Sequence, residues 1–424
     1  MNKVSTQRID CDFDPSAITI EQAQQVILQV AQVIKETEIV PIRQALGRVL
    51  RCDAISMVDN PPNDNSAMDG YGVRVADCQG VNGGGKTTLK VIGKSFAGSP
   101  FHGEVGQGGA IRIMTGAKIP VGVDAVVMQE QTTLDEKNGT VILNAPVKSG
   151  QNIRLQGEDI TTGQAVIKAG IRLTPACIGV LATMGVTEVE VTRKINVAIL
   201  STGDELQPVG TALKEGNIYD SNRYSLHALL NDPRFHIIEK GVLNDEQAVI
   251  EKAFIDTANY ADVVITTGGV SVGEADWIKD CVEKTGELIF WKAAIKPGRP
   301  ITFGKVGKAL FFGLPGNPVS VMITFAKFTQ WALQKLSGQC IEQPLQLSAT
   351  LMTPLKKRAG RTEFQRGIMT YDADGKCCVT TTGNQGSGIL SSMATANCLI
   401  VLSVDETSKK VGDKVIIEPF SVYI

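Results

Sequence analysis

The sequence predicts a multidomain α/β plus β protein. Its expected parts are a central doubly wound, mostly parallel-sheet domain, a β-rich inserted domain, a linker domain of helix and strand, and a small C-terminal β-barrel. Three observations predict this. From Lys194 the chain alternates strand, loop and helix, the rhythm of a parallel sheet covered on both faces. Residues 89–147 instead run in short β-rich stretches broken by glycine. From about Gln343 the pattern is β-rich again, with DADG (372–375) as a turn and VGDK (411–414) before a closing strand. A small antiparallel barrel or sandwich fits that last stretch. The expected boundaries are 15–57 with 150–192 for the linker, 58–149 for the insert, 193–338 for the central domain and 339–424 for the barrel. A chain of 424 residues is long enough for several domains.

The elements follow in order. Thr19 and Gln22 form a capping box before a helix whose apolar face is Ala23, Val26, Ile27, Val30 and Ile34. Gly47 and the pair Pro61-Pro62 mark breaks. Thr174-Pro175 opens a second helix that stops near Gly185. In the central stretch, strands are expected at 197–200, 237–242, 263–266 and 309–312. Asp220 or Ser221 caps a helix reaching Leu230, and Asp245 is placed to cap the helix at 248–258. A further helix is expected at 277–284. Asn317 suits an N-cap and Pro318 the first helical position.

Composition narrows the function. Apolar residues make up 43% and charged residues 20%, as in a packed globular protein. With 42 Lys+Arg against 44 Asp+Glu, the net charge of −2 gives no general attraction to nucleic acid or anionic membrane. The first residues lack a signal peptide's basic start and apolar core, and no apolar run reaches spanning length. A soluble, cytoplasmic protein is expected, with neither nucleic acid nor membrane as partner. Nine scattered cysteines without C-x-x-C argue against a disulfide framework and a structural zinc site, and three histidines against a His-rich metal site.

Three expected strands end in special loops: STGDEL (201–206), TTGGVSVGEAD (266–276) and GLPGNP (313–318). Ligands of open parallel sheets bind beyond the strands' carboxyl ends, so these loops are expected to share one edge. Glycine there lets a ligand approach the backbone and its amides. Each loop alone could be a mere turn; three in one α/β unit point to a site. Acids Glu274 and Asp276 follow the glycines of the second loop, which suits a cation travelling with an anion. Lys292, Lys296 and Arg299, bracketed by Pro297 and Pro300, add cations that match an anion, although a solvated basic loop would look the same. Mg²⁺ would join the two halves, held by carboxylates and completed by phosphate oxygens. Two further polar segments, IRIMTG (111–116) and QGEDI (156–160), read as structural by pattern alone.

DNSAMDGYGV (64–73), RIMTGAKIPVGVDAVV (112–127), GEDI (157–160), STGDEL, GGVSVGEAD (268–276), KPGRP (296–300) and GLPGNPVS (313–320) occur in this order. Together they resemble the molybdopterin molybdenumtransferase family, which includes the E domain of the scaffold protein gephyrin. The resemblance runs from about Ile20 to the C-terminus. It implies an enzyme that inserts molybdenum from molybdate into adenylylated molybdopterin, cleaving the phosphoanhydride and releasing AMP with Mg²⁺. It also implies a homodimer with a cleft between subunits. Further implied partners are the molybdopterin adenylyltransferase, which the central domain resembles, and downstream molybdoenzymes.

Matched residue by residue, the family's essential acids fall on Asp64, Asp159, Glu205, Asp245 and Asp276, and its lysines on Lys292 and Lys296. For Asp245 a helix cap is a complete alternative. Glu205, Glu274 and Asp276 are the expected metal ligands. Substrate contacts are expected at Ser201, Thr202, Gly203, Gly268, Gly269, Ser271 and Gly273 in the first two loops. Others are expected at Pro297, Gly298, Arg299, Gly313, Pro315, Gly316 and Asn317. Thr115, Arg366 and Ser387 match positions around the same cleft. Asn63, Gly72 and Val123 depart from the family pattern. A nucleotide phosphotransferase would need a P-loop, and no GxxxxGK[ST] is present. A purely peptide-binding scaffold fits poorly with a complete set of acids and lysines.

Overall fold

The inner parallel strands of the central sheet are buried on both faces, and they therefore read as nearly continuous apolar runs. The computed structural model describes residues 14–244, 246–268 and 277–420. Six strands form this sheet: β1 (Ile195–Thr202), β2 (Phe235–Leu243), β3 (Val263–Thr267), β4 (Gly286–Lys292), β5 (Pro300–Val306) and β6 (Ala309–Leu314). Their order is β2-β1-β3-β6-β5-β4. The first three pairings are parallel, whereas β5 runs antiparallel to both β6 and β4. Alternate residues divide between two cores. Val197, Ile199, Val263, Ile265 and Phe312 face one, and Ala198, Leu200, Val264 and Phe311 the other. Each fully buried Val, Ile or Phe contributes about 1.5–3 kcal/mol, so the doubly covered sheet is a rigid platform.

The expected strands are all present, each longer than its apolar kernel. Strands β4 and β5 were not anticipated, because they flank the basic loop and carry their own charges. Helix α1 (Ser221–Leu229) is capped by the Asp220 carboxylate, which accepts from Arg223 N. Helix α2 (Gln247–Ala258) corrects one expectation: its N-cap is Glu246, without a side-chain cap bond, and Asp245 lies outside the described residues. Helix α3 (Trp277–Thr285) returns the chain to β4. Helix α4 (Pro318–Thr324) starts at Pro318 and continues, through a π-turn at Phe325–Thr329, into Gln330–Leu336.

The Thr19 capping box forms as expected, with both reciprocal bonds present in the helix Ile20–Val30. That helix falls within the segment 15–57 expected in the linker, yet Ile20, Ala23 and Ile27 pack in the core of the central sheet. Linker strands Thr37–Pro41 and Glu188–Thr192 pair antiparallel, as do Ala54–Ile55 and Ala165–Ile167. The insert is a six-stranded sheet between Gly70 and Leu143 with its own cores. Within it a Cβ on Gly72 would stand 2.8 Å from an Ile111 methyl and 3.1 Å from a Val123 methyl, so the bare glycine makes room for both side chains.

Beyond Gln343 the β-rich stretch is a barrel. Its strands are β7 (Leu347–Leu351), β8 (Thr362–Tyr371), β9 (Cys377–Thr381), β10 (Cys398–Leu402) and β11 (Lys414–Pro419). Strand β8 pairs with both β9 and β10, which closes the five strands; the β7–β9 pair is parallel and the others are antiparallel. Among the described residues no helix is long and apolar enough to cross a membrane.

Candidate functional site

Three loops meet where β1, β3 and β6 end. Gly203 (φ +141°) and Gly268 (φ +87°) lie where side chains are rarely tolerated. A Cβ on Gly203 would stand 2.4 Å from the Glu205 carboxylate, and one on Gly268 would stand 2.2 Å from the Thr202 carbonyl. A Cβ on Gly316 would have the Gly268 Cα as its nearest neighbour, 3.9 Å away. The first two loops approach so closely because Gly268 carries no side chain. They enclose a cavity of about 380 Å³ lined by Thr202, Glu205, Thr267, Gly268, Gly316 and Asn317. The shared edge expected from sequence is therefore present.

Other walls of the cavity were missed. Ile218 and Tyr219 come from a short strand just before α1, Asn222 from the first turn of α1, and Gly388 and Leu390 from the barrel domain. No local pattern marks them, since they reach the cavity through tertiary contacts. Asn222 Nδ2 donates to the Gly316 carbonyl at 2.7 Å, tying α1 to the third loop. Among the described residues, five buried oxygens here have no hydrogen-bond partner: Ser201 Oγ, Thr202 Oγ1, Asn222 Oδ1, Thr266 Oγ1 and Asp220 Oδ2, the last standing 3.4 Å from Arg223 Nε as an ion pair. Each such atom costs about 1–3 kcal/mol unless something satisfies it. Thr202 is 1% exposed and Asn222 half-buried, and both line the cavity. Each of these two lining residues thus brings a buried, unsatisfied oxygen to the cavity wall.

The third loop differs from expectation in detail. Asn317 holds the cap position but makes no side-chain cap bond. The Ser387 carbonyl from the barrel accepts from Val319 N at 3.1 Å instead. Ser387 thus meets the helix of the third loop through its backbone and does not line the cavity. Arg366 is 1% exposed; its Nε donates to Ser392 Oγ and an Nη2 to the Gly386 carbonyl. Those bonds brace the barrel loop carrying Ser387, Gly388 and Leu390. Gly313 is buried within β6, opposite Thr266 and Thr302.

The basic loop lies against α4 without lining the cavity. A Cβ on Gly298 would be 2.4 Å from a Thr324 methyl, so Pro297-Gly298 is pressed onto that helix. Lys292 Nζ sits 3.8 Å from the centre of the Trp291 ring and 3.9 Å from Asp14 Oδ2, and Arg299 pairs with the same carboxylate. Hydrogen bonds from Ser16 and the Arg299 guanidinium hold the Asp14 carboxyl far below the usual range. Lys296 pairs with Glu363 of the barrel.

Asp64, Asp159 and Thr115 belong to the insert and its junction and do not line the cavity. Asp64 Oδ1 accepts from Gln156 N at 2.8 Å, and Asp159 Oδ2 accepts from Asn60 Nδ2 at 2.8 Å. The Thr115 amide and hydroxyl both donate to Asp69, which lowers that carboxyl's pKa. Asp59, beside the same loops, is lowered chiefly by the Thr162 amide and then by Gln156. Gly269, Ser271, Gly273, Glu274 and Asp276, with Asp245, lie outside the described residues.

The geometry can be set beside known proteins. Residues 18–185 match the MoeA N-terminal region (domain I and II), 198–335 the probable molybdopterin binding domain, and 348–420 the MoeA C-terminal region (domain IV). The chain is 45% identical to the molybdopterin molybdenumtransferase of Haemophilus influenzae over 405 residues, 95% of this chain and 99% of that one. The chain belongs to the molybdopterin molybdenumtransferase family. A molybdopterin molybdenumtransferase of Staphylococcus aureus is 36% identical over 89% of each chain. The crystal structure of the molybdopterin biosynthesis moeA protein of Pyrococcus horikoshii OT3 superposes with a TM-score of 0.82 at 32% identity, covering 95% of this chain and all of that one. Like its family, the chain is a transferase.

Proposed function

We propose that the chain inserts molybdenum from molybdate into adenylylated molybdopterin, with Mg²⁺-dependent cleavage of the phosphoanhydride and release of AMP. The observation that carries this reading is the cavity at the carboxyl edge of the sheet. There glycine backbones from two loops face each other beside the Glu205 carboxylate and the unpartnered Thr202 hydroxyl. The volume suits one nucleotide-sized group, and the exposed backbone suits phosphate.

The donors also fit the cation. Glu205 is exposed at the cavity and supplies hard oxygen ligands, the kind Mg²⁺ takes; Thr202 contributes a further oxygen lining the same space. Glu274 or Asp276 would complete the set. Mg²⁺, when bound, supplies positive charge against the charge that builds on the departing phosphate. The remaining work falls to the chain. Gly268 and Gly316 admit the phosphate to the backbone, and Asn222 and Tyr219 flank the heterocycle. Lys292 and Lys296 hold molybdate or the terminal phosphate of the pterin. Asp64 and Asp159, absent from this cavity within one chain, are supplied across a homodimer interface in the cytoplasm. The adenylyltransferase delivers the substrate and molybdoenzymes take the product.

The test is AMP release from adenylylated molybdopterin, with molybdate and Mg²⁺ added singly and together. Release is expected only with both present. Steady ATP hydrolysis without pterin would replace this reading with a nucleotide phosphotransferase.

A further inference from the structure

The basic loop is held from two sides. On one side Gly298 is pressed against Thr324 of α4. On the other, Ile295–Lys296 forms a short parallel pair with the start of β8, placing Lys296 opposite Glu363, and Thr362 N donates to the Ala294 carbonyl at 3.0 Å. The side chains repeat the backbone pairing, with Lys296 Nζ donating to Glu363 Oε2 at 3.3 Å. In this pair the lysine side chain is 45% exposed but the carboxylate only 7%. An ordinary surface ion pair would have both ends in water.

The buried carboxylate is fixed from its other side too. Gln365 Nε2 donates to Glu363 Oε1 at 2.9 Å and to the Lys356 carbonyl at 3.2 Å. Lys357, itself buried, donates to the Glu406 and Arg358 carbonyls; burial lowers its pKa, and the Glu363 charge opposes that shift. A carboxylate engaged at both oxygens cannot swing away. Leaving one charge of such a pair alone is costly. An ammonium has three N–H donors, and Glu363 accepts one, so the exposed end of Lys296 still faces outward with donors for an anion.

We propose that Glu363 is a positioning residue for Lys296, setting the lysine's place where the central domain meets the barrel. The proposal rests on the reading that Lys296 binds molybdate or the terminal phosphate. Barrel docking then contributes to anion affinity although Glu363 itself never touches substrate.

The test uses the full chain and compares K296A, E363A, E363Q, E363D and the double variant E363A/K296A. Molybdate KM, kcat and thermal melting are measured for each. K296A and E363A are each expected to raise the molybdate KM about tenfold, the scale of one charge-assisted hydrogen bond, with kcat changed less than about twofold. The double variant should be no worse than K296A alone, and E363D should restore most of the affinity. E363Q keeps the side-chain shape, so it carries the comparison if E363A melts early. If K296A raises KM while the Glu363 variants leave it unchanged or lower it, Glu363 does not position the lysine. If K296A leaves KM unchanged, the anion role of Lys296 falls, and this proposal with it.

Discussion

The cavity at the sheet edge and the acid cluster of the insert use similar residues in opposite ways. In the insert, Asp59 and Asp69 accept hydrogen bonds from backbone amides or nearby side chains. Those carboxylates hold loops together. At the cavity, by contrast, Thr202 and Asn222 each keep a buried oxygen without a partner among the described residues, and Glu205 stands exposed. Satisfied polar groups build structure, whereas unsatisfied ones wait for a ligand. A motif of acids and amides in sequence does not separate the two cases; the hydrogen-bond partners do.

The comparison can be broken at several points. The largest effect is expected at Glu205, whose carboxylate is not needed to build its loop. Glu205→Gln should leave melting unchanged and cut Mg²⁺-dependent AMP release about 100-fold, or roughly 3 kcal/mol of barrier. Near-normal turnover would remove Glu205 from the site. Gly268→Ala should act on structure first. Its Cβ would meet the Thr202 carbonyl at 2.2 Å in a left-handed conformation, so a loss of about 2–4 kcal/mol is expected in chemical denaturation of the central domain. An unchanged denaturation midpoint would mean that the loops are not packed so closely.

The smallest effect concerns the insert and pH. Asp59 and Asp69 have pKa values lowered by their hydrogen bonds in the folded chain. A lowered folded pKa gives stability that is present above the unfolded value, near 3.8, and is lost as pH falls through the folded value. Melting of the insert should therefore decline below about pH 4, where unfolded carboxylates take up protons. Asp59→Asn and Asp69→Asn should flatten that acid limb while barely changing neutral-pH AMP affinity. A limb as steep as in the unsubstituted chain would show that these carboxylates do not brace the loops.

Much of the architecture was legible because burial on both faces writes itself as apolar runs. Val197 to Leu200 and Val263 to Thr266 announce strands, and the glycines after them announce the edge. The capping pair Thr19–Gln22 is equally local. What could not be read depends on distant partners. Glu363 meets Lys296 across 67 residues, and Ser387 offers its carbonyl to a helix of another domain. Arg366 shows no sign in sequence that burial commits its guanidinium to bracing a barrel loop. Strands β4 and β5 were hidden by the charges of the turn between them. Asn222 gave no signal, since its importance lies in one bond to Gly316 and one oxygen left over.

The central claim is that the sheet-edge cavity, and not the acid cluster of the insert, holds the nucleotide. Calorimetric titration of AMP with Mg²⁺ into the unsubstituted chain, Thr202→Val and Asp64→Asn tests it most directly. Thr202→Val removes an unpartnered hydroxyl at nearly constant shape, so it should leave melting intact or slightly raised and weaken AMP about tenfold. Asp64→Asn should leave AMP affinity unchanged. Weakened binding in Asp64→Asn with unaltered binding in Thr202→Val would contradict the assignment.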